Sequence, residues 1–214
     1  MRKVLLLFVA LAVVFAMVSC KQEPKKTYAI GDVGPGGGFV FYDCDADNET
    51  GNADGLTSSD CGWRYLEAAP VASEATCPFG YFRESPTSAN QAVGGTGTAI
   101  GTGKANTDKL VASMGAEAYI ASNGSEKTAS YAAKHCADCN AGGKTDWFLP
   151  SKAELALIYT NLALNDLGSF DMGNSYISSS ENNQYSAYGQ IFINGNPSDF
   201  SRNNTCKVRP VRQF

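Results

Sequence analysis

An export signal decides where this chain folds, and that limits what can hold it together. Met1-Arg2-Lys3 gives a basic start, fifteen apolar residues run from Val4 to Val18, and Ser19-Cys20 follows. A charged end, a short apolar run and a small residue at the processing point are the parts of a secretory signal. Spanning the hydrocarbon core takes about 20 residues, so this run is too short for a comfortable membrane helix. The folded part is expected outside the cytoplasm, where cysteines oxidise.

Met17-Val18-Ser19-Cys20 resembles the bacterial lipobox, in which the cysteine thiol is acylated (commonly with palmitate) and the peptide is cut just before it. Met17 stands where leucine is usual. The alternative is an ordinary signal peptide that happens to end near a cysteine. On the lipobox reading, residues 1–19 are the lipoprotein signal peptide, and residues 20–27 are the lipidated Cys20 with a charged tether. Two or three acyl chains on one residue anchor a protein far more firmly than a single chain. The expected location is the bacterial cell envelope, lipid-anchored outside the cytoplasm. Lys21 after the cysteine points to the outer membrane under the usual sorting rule.

Without its signal the chain keeps 195 residues, enough for one ample domain or two small ones. Fifteen basic residues then face 21 acidic ones, a formal charge near −6. Such a balance argues against nucleic acid as a partner and against a general polybasic membrane footprint. A local basic patch near the C-terminus stays open, from Arg202, Lys207, Arg209 and Arg212.

Six cysteines remain beyond Cys20: Cys44, Cys61, Cys77, Cys136, Cys139 and Cys206. An even count in an exported chain reads as structural disulfides, with fifteen possible pairings. Cys136-Ala-Asp-Cys139 beside His135 also fits a redox pair or a zinc knuckle, but no second CxxC completes a zinc site. His135 is the only histidine, so no Ser/His/Asp or Cys/His arrangement builds up around it. Gly101-Thr-Gly-Lys104 fails as a phosphate loop, because Thr98 stands where glycine is required and Ala105 where a magnesium-binding hydroxyl belongs. No nucleotide partner is expected.

Phe39-Val-Phe-Tyr42 and Trp63–Ala68 read as strands, the second with one buried face. Residues 85–106 have loop composition. Thr107–Met114 reads as a short helix capped by Asn106 or Thr107. A second helix is expected over Lys127–Cys139, with Ala129, Ala132, Ala133 and Cys136 as its buried stripe. Ser151 with Glu154 three residues on forms a capping box, and the helix it opens should bury Leu155, Ile158, Tyr159 and Leu162. Strands follow at Ser175–Ser180, Ala187–Ile193 and Thr205–Arg212, with Asn194-Gly195 as a hairpin turn and Pro210 marking an edge or an irregularity. Strands, then helices, then strands make an α+β chain.

Five blocks carry a family resemblance: Ile30–Gly38, Trp63–Pro70, Asp146–Ser151, Ser178–Glu181 and Val208–Arg212. In this order they resemble the Legionella collagen-like protein C-terminal domain family, long catalogued only as a domain of unknown function. The resemblance covers residues 28–214 and implies a single C-type-lectin-like domain, of short helices packed on small antiparallel sheets with long loops. It further implies an exported or surface role. The founding member's domain is implicated in binding sulfated glycosaminoglycans, but this chain lacks collagen-like repeats and is acidic. A disulfide from the first helix to the last strand is also implied. Here that joins Cys206 to Cys136 or Cys139, with Cys136 better placed on its stripe. Cys44 with Cys61 comes next, leaving Cys77 to the other helix cysteine. By physical size, Trp63 and Trp147 are expected in the core, and Gly31, Gly34 and Gly36–Gly38 in tight turns.

Two constellations are left for chemistry. Asp43, Asp45, Asp47 and Asp54 fall at positions 1, 3, 5 and 12 of a loop, a spacing that suits calcium, though no helices flank it. The alternative is a solvated acidic turn stapled by Cys44 and Cys61. Asn182, Asn183, Tyr185, Arg202 and Asn203 project amides, a ring and a cation from the late loops, as a glycan site would, and as plain solvated loops also would. The function expected is a membrane-anchored, adhesin-like lipoprotein that binds an extracellular carbohydrate or matrix ligand and is not an enzyme. The alternatives are a structural envelope lipoprotein and, last, an enzyme of the formylglycine-generating type, for which Cys206 is the only cysteine beyond Cys139.

Overall fold

The structure, a computed structural model, describes residues 26–46 and 56–214. The expected export signal at residues 1–19, the expected lipidation site Cys20, and the expected calcium ligands Asp47 and Asp54 lie outside the described residues.

The chain is α+β, built from three small sheets and four short helices among the described residues. Strand β1 (Phe39–Asp43), helix α1 (Ser58–Cys61), β2 (Tyr65–Ala68) and β3 (Ala75–Pro78) come first. Helix α2 (Gly103–Met114), the β4–β5 hairpin (Ala118–Tyr119 with Lys127–Thr128), α3 (Ala132–Ala137) and α4 (Lys152–Asn161) form the middle. Five strands end the chain: β6 (Ser175–Glu181), β7 (Ser186–Ile191), β8 (Asn196–Ser201), β9 (Thr205–Val208) and β10 (Val211–Gln213). No helix among the described residues is long and apolar enough to cross a membrane.

The three-stranded sheet, in order β1-β2-β10, ties the two ends of the domain together. The carbonyl of Phe214 accepts from both Arg64 and Tyr65 amides at 3.0 Å. Because β2 runs between two partners, all four of its residues are buried, where the sequence suggests one buried face. The larger sheet has the order β3-β9-β6-β7-β8; β6 and β9 meet in parallel at Tyr176 and Lys207, and its other pairs are antiparallel. Pro210 divides the expected last strand into β9 and β10, as a residue without an N–H must. Strand β8 occupies a stretch that reads as polar loop. As an edge strand it pairs on one side only, so its polar residues face water and hide the strand signal.

The capping box at α4 forms as its spacing predicts. The Ser151 amide donates to Glu154 Oε2 at 2.7 Å, and the Glu154 amide donates to Ser151 Oγ at 3.3 Å. Leu155, Ile158 and Leu162 are buried, with Tyr159 half-buried. The other oxygen of Glu154 accepts from Gly101 and Gly103 amides at 2.7 and 3.4 Å. A carboxylate of the chain itself thus fills the helix N-terminus at the Gly101–Lys104 segment, the place a bound phosphate would take. That contact starts α2 at Gly103, four residues before the expected Thr107, within the segment that reads as loop. Helix α3 is shorter than expected: Lys127–Thr128 pair with β4, and Ala129 is exposed. Ala132, Ala133 and Cys136 keep the buried stripe.

Trp147 is buried and Trp63 half-buried. The glycine-rich segment is governed by close approach as much as by turning. Gly37 takes a left-handed φ of 79°, but a Cβ at Gly38 would stand 1.8 Å from the Ala68 carbonyl oxygen.

The six cysteines among the described residues are thiols in this structure. Cys44 Sγ lies 3.0 Å from Cys61 Sγ, on the far ends of the acidic loop. Cys206 stands opposite Cys77 across β3 and β9, and Cys136 is buried in the same core cluster. The cross-strand neighbour of Cys206 is therefore Cys77, with the helix residue Cys136 close behind. In protein isolated without reductant, peptide mapping is expected to find Cys44 joined to Cys61. Closing that 17-residue separation should contribute about 3 kcal/mol by the chain-entropy account. Free thiols at both positions would contradict the pairing.

Candidate functional site

A polar cleft of about 550 Å³ opens where three segments meet. The chain after β3 supplies Tyr81, Arg83, Thr87, Ser88 and Asn90; the β4–β5 turn supplies Ser122 and Asn123; the late strands supply Tyr185 and Ser201. Backbone bonds hold these segments together. Gly80 donates to the Arg202 carbonyl at 2.9 Å, Tyr81 to Tyr119 at 2.7 Å, and Arg202 to Tyr185 at 3.1 Å. Tyr185 stands 57% exposed on the rim, a ring free to stack on a ligand. Hydroxyls and amides line the walls, and no carboxylate is among the lining residues.

Arg83 shapes the floor. Its Nε donates to Asn90 Oδ1 at 2.7 Å, Nη1 to the Pro86 carbonyl at 3.4 Å, and Nη2 to the Ser122 carbonyl. These bonds pin residues 86–90 and the 122–124 turn around one guanidinium.

The late-loop residues divide. Tyr185 joins the cleft. Asn183 instead builds its turn, with Oδ1 accepting from the Tyr185 and Ser186 amides at 2.7 and 3.0 Å. Asn182 and Asn203 are exposed; Asn182 donates to Ser186 Oγ at 3.1 Å, and Asn203 accepts from Ser201 Oγ at 2.7 Å. Arg202 corrects the sequence reading: it is fully buried, with Nη2 on Glu181 Oε1 at 2.7 Å and on the Asn183 carbonyl at 2.6 Å. It cannot meet a ligand; it holds the loop that presents Tyr185.

The C-terminal basic residues do not form a free patch. Lys207 and Arg209 both pair with Glu74, at 3.1 and 2.6 Å, and Arg212 pairs with Asp146 at 2.7 Å. Of the acidic loop, Asp43 meets the Arg64 fork at 2.8 and 3.0 Å. Asp45 accepts from the Ser58 amide and hydroxyl at 2.7 and 2.8 Å, and Asp47 and Asp54 lie outside the described residues. These two carboxylates thus tie the end of β1 to α1 and to Arg64, just ahead of β2. His135 faces the Ser73 carbonyl at 2.9 Å, far from the cleft in sequence and absent from its lining.

A second cavity, of about 620 Å³, runs between α4 and the β7–β8 hairpin. Ala99, Ala153, Ala156, Tyr159 and Pro197 make it mainly apolar, with Lys152 and Gln190 at its sides. A hydroxyl-rich ligand finds few partners there.

Tyr81, Arg83, Ser88, Asn90, Ser122 and Asn123 escape a sequence reading. Their only signal is a run of Ser, Thr and Asn, which is also what any solvated loop shows.

Neither a protein-family description nor a curated protein matches the sequence. Among solved structures, a fimbrial protein from Bacteroides ovatus ATCC 8483 is similar over 83% of this chain, at 16% sequence identity and a TM-score of 0.48. The chain covers 44% of that protein.

Proposed function

We propose that this chain is a lipid-anchored envelope protein whose C-type-lectin-like domain binds an extracellular carbohydrate or matrix ligand in the cleft below Tyr185. One observation carries the reading: an exposed tyrosine lines a cavity whose other lining residues are mostly hydroxyls and amides. Saccharides are recognised by such a combination, stacking on one face and hydrogen-bonding at the hydroxyls. With Lys207, Arg209 and Arg212 paired internally, a densely sulfated polymer finds no basic surface at the C-terminus. Burial also pushes the Cys206 thiol up to about 11, which disfavours a thiolate nucleophile and with it the formylglycine-type reading.

The test is a glycan and matrix array probed with the mature protein. Tyr185→Ala should weaken the hits by about 10-fold, equal to roughly 1.4 kcal/mol. Its melting temperature should hardly move, since exposed substitutions usually cost within about 0.5 kcal/mol. Binding unchanged by this variant would move the site elsewhere. No binding on any array would favour the second class, a structural envelope lipoprotein. The anchor is tested separately: intact-mass analysis of the mature protein is expected to give an acylated Cys20 at the N-terminus, and an unmodified or different first residue would remove the lipid.

A further inference from the structure

We infer that the cleft receives its saccharide through a carboxylate, with Arg83 as the cationic partner; this rests on the carbohydrate reading of the same cleft. Four arginines are buried among the described residues: Arg83, Arg202, Arg209 and Arg212. Three meet a carboxylate: Glu181, Glu74 and Asp146 respectively, at 2.6–2.7 Å. Arg83 does not. Its three acceptors, Asn90 Oδ1 and the Pro86 and Ser122 carbonyls, are neutral oxygens. They orient the guanidinium without cancelling its charge. Buried charges are normally paired, because a lone charge away from water is costly. Of the five guanidinium N–H groups, three are accounted for in this way, and Arg83 is itself among the residues that line the cleft.

Two further observations point the same way. Lys127 lies 4.5 Å from the centroid of the Tyr119 ring and Arg83 lies 5.9 Å from it, so two cations share one ring beside the cleft. The lining residues contain no aspartate or glutamate to repel an anion. A single fork-shaped cation among hydroxyls and amides matches one carboxylate on a polyhydroxylated body, the chemistry of a uronic acid residue. The overall acidity of the chain favours such a local pairing over capture of a dense polyanion.

The experiment is calorimetric titration of the mature protein with trigalacturonate, its fully methyl-esterified form and galactotriose. The ester keeps the sugar and removes the charge, so the comparison decides the matter without any variant. Trigalacturonate is expected to bind at least about 10-fold tighter than the ester, with the advantage shrinking as salt rises. Arg83→Gln should bring acid and ester to the same affinity, and Arg83→Lys should restore only part of the difference, because an ammonium cannot fork. Equal binding of acid and ester by the native protein would overturn the role of Arg83 while leaving a neutral-sugar cleft standing. Absence of binding by all three probes would overturn the inference, and hits elsewhere on the glycan array would then show whether the broader carbohydrate reading survives. Should Arg83→Gln fail to fold, the acid-against-ester comparison still decides.

Discussion

Replacing Glu74 with alanine is expected to cost the fold about 3–5 kcal/mol, a loss of roughly 10 °C in melting temperature for a domain of this size. Glu74 sits just before β3 and binds three residues brought from the far end of the chain. Its Oε2 accepts from Arg209 Nη2 at 2.6 Å and from the Tyr176 hydroxyl at 2.7 Å, while Oε1 lies 3.1 Å from Lys207 Nζ. Arg209 is fully buried and also donates to the Ala69 and Gly168 carbonyls at 3.2 and 2.8 Å. Removing the carboxylate strands a guanidinium away from water. That penalty is much larger than the modest net worth of the pair itself. Glu74→Gln should recover part of the loss by keeping an acceptor for Tyr176 and Arg209. Urea denaturation measures both; a cost below about 1 kcal/mol for the alanine variant would mean that water reaches Arg209.

The second large effect is a pH dependence at Glu67. Its side chain is fully buried in the central strand β2, under the Gly34–Gly38 segment, and neither carboxylate oxygen has a hydrogen-bond partner of ordinary geometry. Burial pushes this carboxyl up to about 7, against the pull of the Arg212 charge, the Gly36 amide and Lys144 and with a small push from Asp146. The unfolded chain releases the same proton near 4.5. A folded pKa above the unfolded one favours the fold fully below pH 4.5, and the contribution is lost as pH rises through about 7. Each pKa unit corresponds to about 1.4 kcal/mol, so the loss approaches 3 kcal/mol by pH 8. Glu67→Gln, which cannot ionise, is expected to match the native protein at pH 4.5 and to exceed it by about that amount at pH 8. Glu154 shifts in the same direction, up to about 7 by burial, so the Glu67→Gln variant should keep part of the slope. Parallel melting curves for native and variant protein across pH 4.5–8 would contradict the assignment to Glu67.

The parts of this fold legible in the sequence are those governed by neighbours along the chain. Ser151 and Glu154 are three residues apart, and their capping box appears as written. Phe39–Asp43 is apolar and aromatic enough to declare itself as a strand, and in Ser175–Glu181 the Tyr176-Ile177 pair does so despite four serines. The α+β layout follows from the same local signals. What escapes is set by distance. Helix α2 begins early because Glu154, more than fifty residues on, caps Gly101 and Gly103. Arg202, Lys207, Arg209 and Arg212 look like a basic patch when read in line. Their partners lie 21 residues away for Arg202, 66 for Arg212 and 135 for Arg209, and each pair turns an apparent surface charge into an internal brace.

The candidate site divides in the same manner. Tyr185 is legible as an aromatic in a polar loop, and the structure leaves it exposed on a cleft rim. The wall opposite comes from residues 81–90 and 122–123, and long-range bonds such as the Tyr81–Tyr119 bridge, Gly80 to Arg202 and the Arg83 contacts bring them there. Nothing in those short polar runs announces a binding surface until the pairing is known.

The central claim is that one cleft, under Tyr185, takes a saccharide. It is tested most directly by nuclear magnetic resonance, adding the best-binding oligosaccharide from the array to the isotopically labelled mature protein. Amide shifts confined to residues 81–90, 122–123, 185 and 201 are the expected result. Shifts confined to the apolar groove around Ala99, Ala156 and Tyr159, or none at saturating sugar, would contradict it.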